Sequence, residues 1–269
     1  WAMMAVTILS SVAALWFFYL LLKQIGLKEQ VLWLTLVFSI FPARWLIVRS
    51  VGSPEPLFIA SILATYYFFL RGNYWLMGFA GAVSMLTKSP AILVFIALLA
   101  AIIIPRFQQI ILHPGITIRQ ILPMSLPLIL FPLTALFIFL LYARQYNDFF
   151  AYFHSGDNIH LLFPPFQVFN AAQTWVGTFW LEEIIWIYLL GFLGIFQLIK
   201  KGYLPFAFLV GIFFASTLFV SHRDIARYIL PVVPFLFIAY SEILSSRQFR
   251  WAMIFLAIPI YLLAINFII

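Results

Sequence analysis

The stretch Ser221-His222-Arg223-Asp224-Ile225-Ala226-Arg227-Tyr228-Ile229-Leu230-Pro231 places three formal charges and a histidine between two long apolar runs. Residues 203–220 before it and residues 228–241 after it contain no charged side chain. Apolar runs of this length are typical of membrane helices. Because charge at the edge of a hydrocarbon layer is costly, such a cluster is a candidate functional site. We therefore predict that it lies at a membrane face and holds an anionic lipid-phosphate headgroup.

The composition of the whole chain agrees with membrane helices. Of the 269 residues, 65% are hydrophobic and only 9% are charged, whereas a soluble domain carries about 25% charged residues. The net charge of +7 does not indicate nucleic-acid binding, because basic residues beside membrane helices account for it. The chain has no cysteine, which excludes disulfides and thiolate chemistry. The predicted fold class is all-α: a polytopic transmembrane helical bundle that forms one integral-membrane domain over residues 1–269.

Apolar segments follow one another along the chain, and we predict that each is a membrane-crossing helix. The ten segments are 2–22, 30–48, 56–70, 74–87, 90–105, 120–143, 174–199, 203–221, 228–244 and 251–269. Pro42 interrupts the second segment and predicts a break or kink there. The third and fourth segments are marginal in length, so residues 56–88 either cross twice or re-enter. Residues 144–173 are rich in aromatic side chains, and we predict an extracytoplasmic loop in the headgroup layer.

The distribution of charge predicts an orientation. If all segments cross and alternate, nine Lys and Arg residues fall on one face and six fall on the other. The face with nine should be cytoplasmic, because loops on that side carry excess positive charge. The other face receives the long loop, the charged cluster at 221–231 and six of the eight acidic residues. We therefore predict the functional site on the non-cytoplasmic face.

The candidates for binding a phosphate are Arg223, Arg227, Tyr228 and Lys88. The two arginines are four residues apart and would share a face if the segment were helical. Guanidinium groups bind phosphate in a bidentate manner, and a lysine binds it as a point charge. Tyr228 can donate a hydrogen bond. The alternative is that these cations only extend to lipid headgroups, or that the arginines pair with Asp224.

The candidates for contact with a substrate other than the phosphate compound, such as an acceptor hydroxyl, are Asp157, His154, Glu55 and His222. Glu55 has two further interpretations. It could be the counter-ion of Arg44 or Arg49, or a first-turn acid favoured by the helix dipole.

The sequence does not predict a metal or a cofactor. His154, Asp157 and His160 form a histidine–carboxylate cluster, but their spacing does not match a zinc site. No P-loop, dinucleotide-binding glycine motif or G-x-S-x-G motif occurs in the chain. A nucleotide-driven pump or a serine hydrolase therefore has no sequence support.

Several blocks in succession resemble one family. They are Phe41-Pro42-Ala43, Ser53-Pro54-Glu55-Pro56-Leu57-Phe58, Arg71-Gly72-Asn73-Tyr74-Trp75-Leu76-Met77-Gly78, Leu86-Thr87-Lys88-Ser89-Pro90, Tyr146-Asn147-Asp148-Phe149-Phe150-Ala151-Tyr152-Phe153-His154 and Arg227-Tyr228-Ile229-Leu230-Pro231. Their order is similar to that in the multi-span glycosyltransferases of the GT-C superfamily. The nearest branch is the GPI mannosyltransferase that adds the second mannose, with its prokaryotic relatives. The prolines around Glu55 and its longer spacing from Phe41 depart from the family pattern.

The resemblance implies an integral-membrane glycosyltransferase acting on the non-cytoplasmic face. It would transfer a mannose-like hexose from a polyprenyl-phosphate-sugar donor to a hydroxyl of a glycan, lipid or protein. Arg223, Arg227, Tyr228 and Lys88 would then bind the donor phosphate. The family's catalytic aspartate would precede Trp1, so we expect this chain to be a fragment without its general base.

The resemblance also implies a location and a set of partners. The protein would be a multi-pass protein of a prokaryotic plasma membrane, or of the endoplasmic reticulum in a eukaryote. Its partners would be membrane lipids, the sugar donor and the acceptor, and not nucleic acid. From the residues alone, two alternatives stay open. One is a membrane transporter or lipid flippase, with Arg and Lys lining the path; the other is a non-catalytic scaffolding subunit.

Overall fold

The structure is a computed structural model that describes residues 1–112, 114–155, 161–177 and 180–268. Helices make up 80% of it, and the described residues form no β-strand. The α-helices are α1 (Ala2–Gln24), α2 (Val31–Ile40), α3 (Ala43–Arg49), α4 (Glu55–Leu70), α5 (Tyr74–Thr87), α6 (Ala91–Ile103), α7 (Phe107–Leu112), α8 (Pro114–Ser125), α9 (Leu130–Tyr146), α10 (Ala151–His154), α11 (Trp180–Lys200), α12 (Leu204–Thr217), α13 (Ile225–Ile229), α14 (Val233–Ala239), α15 (Ser241–Ser245) and α16 (Arg247–Ile268). Short 3-10 helices join α6 to α7, α8 to α9 and α13 to α14. The all-α expectation is confirmed.

Fewer helices than predicted have the length of a membrane span. Within the described ranges, five are long and apolar enough: Ala2–Gln24, Ala91–Leu112, Ile118–Tyr146, Leu181–Lys200 and Arg247–Phe267. A sixth span results if α2 and α3 are taken together. The other apolar helices are shorter: Glu55–Leu70, Tyr74–Thr87, Leu204–Thr217 and Ile225–Ala239. The architecture is therefore compatible with a multi-pass integral membrane protein, whereas ten spans remain a prediction.

The predicted interruption of the second apolar segment is confirmed. α2 and α3 meet at an angle of 68°, and the break falls at Phe41 and Pro42. Phe41 has an extended backbone, with φ −129° and ψ 140°. Pro42 has no N–H to donate, and it disfavours a helical conformation in the residue before it. The bend gives α3 its own direction, in which it packs against α16.

α4 lies at the centre of the bundle. Eleven of its sixteen residues are buried, and α1 and α5 pack along it. The turn between α4 and α5 contains Gly72, whose φ of +72° is readily adopted only by glycine. The Asn73 side chain caps α5 by accepting a hydrogen bond from Leu76 N at 3.3 Å. The resulting helical hairpin places the start of α4 and the end of α5 at the same end of the bundle.

Aromatic contacts and backbone hydrogen bonds hold the described parts of the loop predicted at 144–173. Phe149, Phe150 and Phe153 surround Phe139 of α9, with ring centroids 5.3–6.3 Å from it. Further along, Leu162 N and Phe166 N donate to the carbonyls of Phe219 and Leu218, each at 2.7 Å. The described parts of the loop therefore pack against α9 and against the segment before α13. Its position in the headgroup layer remains a prediction.

Candidate functional site

The carboxylate of Glu55 is the centre of a buried ion cluster. Glu55 is the first residue of α4, and its side chain is only 1% exposed. Its Oε1 accepts a hydrogen bond from Lys88 Nζ at 2.9 Å, and from Arg227 Nε and Nη2 at 2.6 Å each. The Ser53 hydroxyl donates to Oε2. We refer to Ser53, Glu55, Lys88 and Arg227 as the Glu55 cluster.

Local structure in three separate segments positions this cluster. The turn before α4 is fixed to α1, because Ser53 N donates to Thr7 Oγ1 at 3.2 Å and Thr7 Oγ1 donates to Ser53 O at 3.3 Å. Lys88 is the residue at which α5 ends in extended conformation. Arg227 lies on the short helix α13, whose N-cap Asp224 accepts a hydrogen bond from Arg227 N at 3.3 Å.

The electrostatics of the Glu55 cluster favour the ionised form of the Glu55 carboxylate. The cluster as a whole carries a surplus of positive charge. Two cations and a hydroxyl all stabilise the charged form of Glu55, which offsets the cost of burying it. The cluster has one acid and two bases, so its formal net charge is positive. The Arg227 side chain is 48% exposed and that of Lys88 is 28% exposed. Both cationic side chains therefore contact Glu55 and remain partly exposed.

The interpretation of Glu55 as the counter-ion of Arg44 or Arg49 is wrong. Arg44 Nη2 instead pairs with Asp224 Oδ1 at 2.7 Å, and its guanidinium lies 4.5 Å from the ring centroid of Phe267. The direction of α3 after the break at Pro42 explains this, because it turns Arg44 towards α13 and α16. The Arg44–Asp224 pair forms a second, charge-neutral pair beside the Glu55 cluster.

Arg223 and Arg227 do not share a helical face. α13 starts at Ile225, and Asp224 is its N-cap, so Arg223 precedes the helix. Arg223 is exposed and forms no ion pair or hydrogen bond with the described part of the chain. Of the four predicted phosphate ligands, the structure thus brings Lys88 and Arg227 together on one carboxylate. Tyr228 follows directly after Arg227 and is half-buried.

Aromatic and hydroxyl groups border the Glu55 cluster. His222 Nδ1 accepts a hydrogen bond from Asp224 N at 3.0 Å, and its ring centroid lies 5.6 Å from that of Tyr228 and 6.4 Å from that of Trp175. The Tyr152 hydroxyl and Ser89 Oγ are hydrogen-bonded at 2.7 Å. Sequence reasoning did not select Tyr152, Ser89 or Trp175. Ser89 follows Lys88 in the chain, but no spacing in the sequence predicts its contact with Tyr152.

His154, a predicted substrate contact, pairs with an acidic residue of its own loop. His154 Nδ1 lies 2.7 Å from Asp148 Oδ2; the His154 side chain is exposed and that of Asp148 is partly exposed. The hydrogen bond with His154 holds the pKa of Asp148 below its usual value, and the Phe150 N–H acts in the same direction. The two residues that would complete the predicted cluster, Asp157 and His160, lie outside the described residues. Where the structure describes the chain, no group of three or more His, Asp or Glu side chains is arranged to hold a metal.

The fold and the cluster define a class of protein in structural terms. The chain is a helical bundle with several apolar helices of membrane-spanning length, and it gathers charged residues from three segments at one end. No known protein family matches the chain, and the searches of characterised proteins and of solved structures find no match either.

Proposed function

We propose that the protein is an integral-membrane glycosyltransferase that transfers a mannose-like hexose from a polyprenyl phosphate to a hydroxyl acceptor. The observation that carries the proposal is the pair of cations, Lys88 and Arg227, which a buried carboxylate holds together while both side chains stay partly exposed. In such a reaction the acceptor oxygen bonds to the anomeric carbon while the sugar–phosphate bond breaks. Negative charge then develops on the departing polyprenyl phosphate, where fixed cations stabilise it.

The proposal gives each member of the Glu55 cluster a role. Arg227 and Lys88 bind the phosphate, with Arg223 and Tyr228 as further contacts at its edge. Glu55 holds the two cations in place. A carboxylate that is already neutralised by two cations is a weak base, so we do not assign the acceptor proton to Glu55. The acceptor proton therefore passes to a general base other than Glu55.

The surface of the bundle also suits a polyprenyl substrate. Large apolar side chains are exposed along α9 and α11, including Leu133, Phe137, Leu140, Trp186 and Phe192. In a membrane, exposed apolar surface of this kind contacts lipid tails. A polyprenyl tail could lie against it while its phosphate reaches the cations at the end of the bundle.

Arg227→Ala is expected to reduce hexose transfer at least tenfold. Hydrogen bonds to charged groups are worth ~1.5–3 kcal/mol, which corresponds to roughly 10- to 100-fold in rate or affinity. The measurement is transfer of radiolabelled mannose from polyprenyl-phosphate mannose by the complete purified protein. Arg247→Ala is the matched control, because Arg247 is exposed at the start of α16 and lies outside the cluster.

The same experiment separates the proposal from its rival. Wild-type protein that transfers no sugar from any polyprenyl-phosphate donor would contradict the proposal. If that protein moves labelled lipid across the membrane of proteoliposomes, and the movement depends on Arg227, the protein is a flippase or transporter. If Arg227→Ala retains wild-type transfer, the phosphate-binding role of the Glu55 cluster is wrong.

A further inference from the structure

Neutral hydroxyl groups lie next to each of the two cations, Lys88 and Arg227. Ser89 follows Lys88, and its hydroxyl is hydrogen-bonded to that of Tyr152 at 2.7 Å. Tyr228 is the residue after Arg227 on α13. Ser89 and Tyr152 therefore lie beside Lys88, and Tyr228 lies beside Arg227.

Two further aromatic rings follow Tyr228, and we refer to Ser89, Tyr152, Tyr228, His222 and Trp175 together as the aromatic line. The ring of Tyr228 packs near that of His222, and the ring of His222 near that of Trp175. Trp175 donates its indole N–H to Val168 O at 2.8 Å, which fixes the orientation of the ring. All four aromatic side chains along the line, including Tyr152, are half-buried, so each keeps part of its surface accessible.

The chemistry of this line differs from that of the Glu55 cluster. Its groups are hydroxyls, an imidazole and aromatic faces, and the tyrosine hydroxyls both donate and accept hydrogen bonds. A phosphate needs cations, whereas a hexose presents neutral hydroxyls and apolar C–H faces. Aromatic side chains with a polar edge suit a ligand that is part apolar and part hydrogen-bonding.

We propose that this line is the hexose subsite, and that Tyr152 hydrogen-bonds a hydroxyl of the sugar whose phosphate lies on Lys88 and Arg227. The rings of His222 and Trp175 form the wall against which the sugar packs. The inference rests on the proposed function, because it assumes a sugar phosphate as the ligand. It assigns Tyr152, on α10, to sugar recognition.

Tyr152→Phe separates the sugar from the phosphate, because it removes one hydroxyl and keeps the ring. The variant is expected to bind undecaprenyl-phosphate mannose about fivefold more weakly, which is the loss of roughly one neutral hydrogen bond. Its affinity for undecaprenyl phosphate without sugar should equal that of wild type. The measurement is equilibrium binding of both lipids to the complete protein in detergent, and Tyr261→Phe, exposed on α16, is the control.

Two further variants distinguish the possible failures. Arg227→Ala should weaken the binding of both lipids; if it weakens neither, the proposed phosphate site is wrong. If Arg227→Ala weakens both and Tyr152→Phe weakens neither, the hexose subsite alone is wrong. Ser89→Ala breaks the Ser89–Tyr152 hydrogen bond from its other side and should weaken mannosyl-lipid binding less than Tyr152→Phe does. An equal effect of the two variants, or a loss of sugar-free lipid binding in Tyr152→Phe, would mean that Tyr152 only holds the loop.

Discussion

Glu55→Gln is expected to lower both the thermal stability and the transfer activity of the protein. Glutamine keeps the shape of the side chain but removes the charge that holds Lys88 and Arg227 at one point. Breaking a fully buried ion pair costs ~3–5 kcal/mol. Because the Lys88 and Arg227 side chains are 28% and 48% exposed, solvent screens part of that loss. We expect a destabilisation of about 2 kcal/mol, or roughly 5 °C in Tm.

The activity of Glu55→Gln should fall further than its stability indicates. Without the carboxylate, the two cations repel each other and no longer present their N–H groups in one geometry. Transfer should therefore drop by about 100-fold even at temperatures where the variant is folded. The measurements are thermal unfolding in detergent and the mannose-transfer assay.

Glu242→Gln is the matched control for the loss of a carboxylate. Glu242 pairs with Lys201 at 3.2 Å, but its side chain is 80% exposed. Exposed ion pairs contribute little to stability, so this variant should unfold and react like wild type. If Glu55→Gln behaves like Glu242→Gln in both measurements, Glu55 does not organise the cations.

Gly81→Ala is expected to destabilise the bundle by about 3 kcal/mol. A Cβ at Gly81 would overlap the ring of Phe131 on α9. Phe131 is fully buried and packs against Phe95, with 5.7 Å between ring centroids, so the ring has little room to move. α5 and α9 would have to separate. The measurement is Tm, together with the fraction of protein that elutes as a single species after solubilisation.

Gly211→Ala in α12 is the control for the added methyl group. Its Cβ would meet Ile195 Cδ1 at 4.0 Å, which is an ordinary contact. Alanine favours a helix over glycine by up to ~1 kcal/mol, so this variant should be as stable as wild type or slightly more stable. Equal Tm values for the two variants would contradict the close approach of α5 and α9.

Much of the helical architecture could be predicted from local sequence. Long apolar runs form helices because these satisfy backbone hydrogen bonds within the segment. The break at Pro42 and the turn at Gly72 and Asn73 also follow from the residues themselves. The number of membrane-length helices was less predictable. The segment predicted at 203–221 ends as a helix at Thr217, and Leu218 and Phe219 instead accept hydrogen bonds from the loop at 161–166.

The candidate site was predictable in part. Lys88 and Arg227 stand out because charge beside apolar runs is costly. The spacing of Arg223 and Arg227 was misleading, because the N-cap at Asp224 starts the helix after Arg223. Tyr152 carries no such signal, since an aromatic residue in an aromatic-rich loop is unexceptional.

The sequence by itself determined that the chain is helical and apolar, and that its charges lie at the ends of its apolar runs. Only the tertiary structure decided which charges meet. Glu55 is separated from Lys88 by 33 positions in the chain and from Arg227 by 172. No local pattern specifies contacts over such separations. They arise because the α4–α5 hairpin places Glu55 and Lys88 at one end of the bundle, where packing of α13 adds the guanidinium that the buried carboxylate requires.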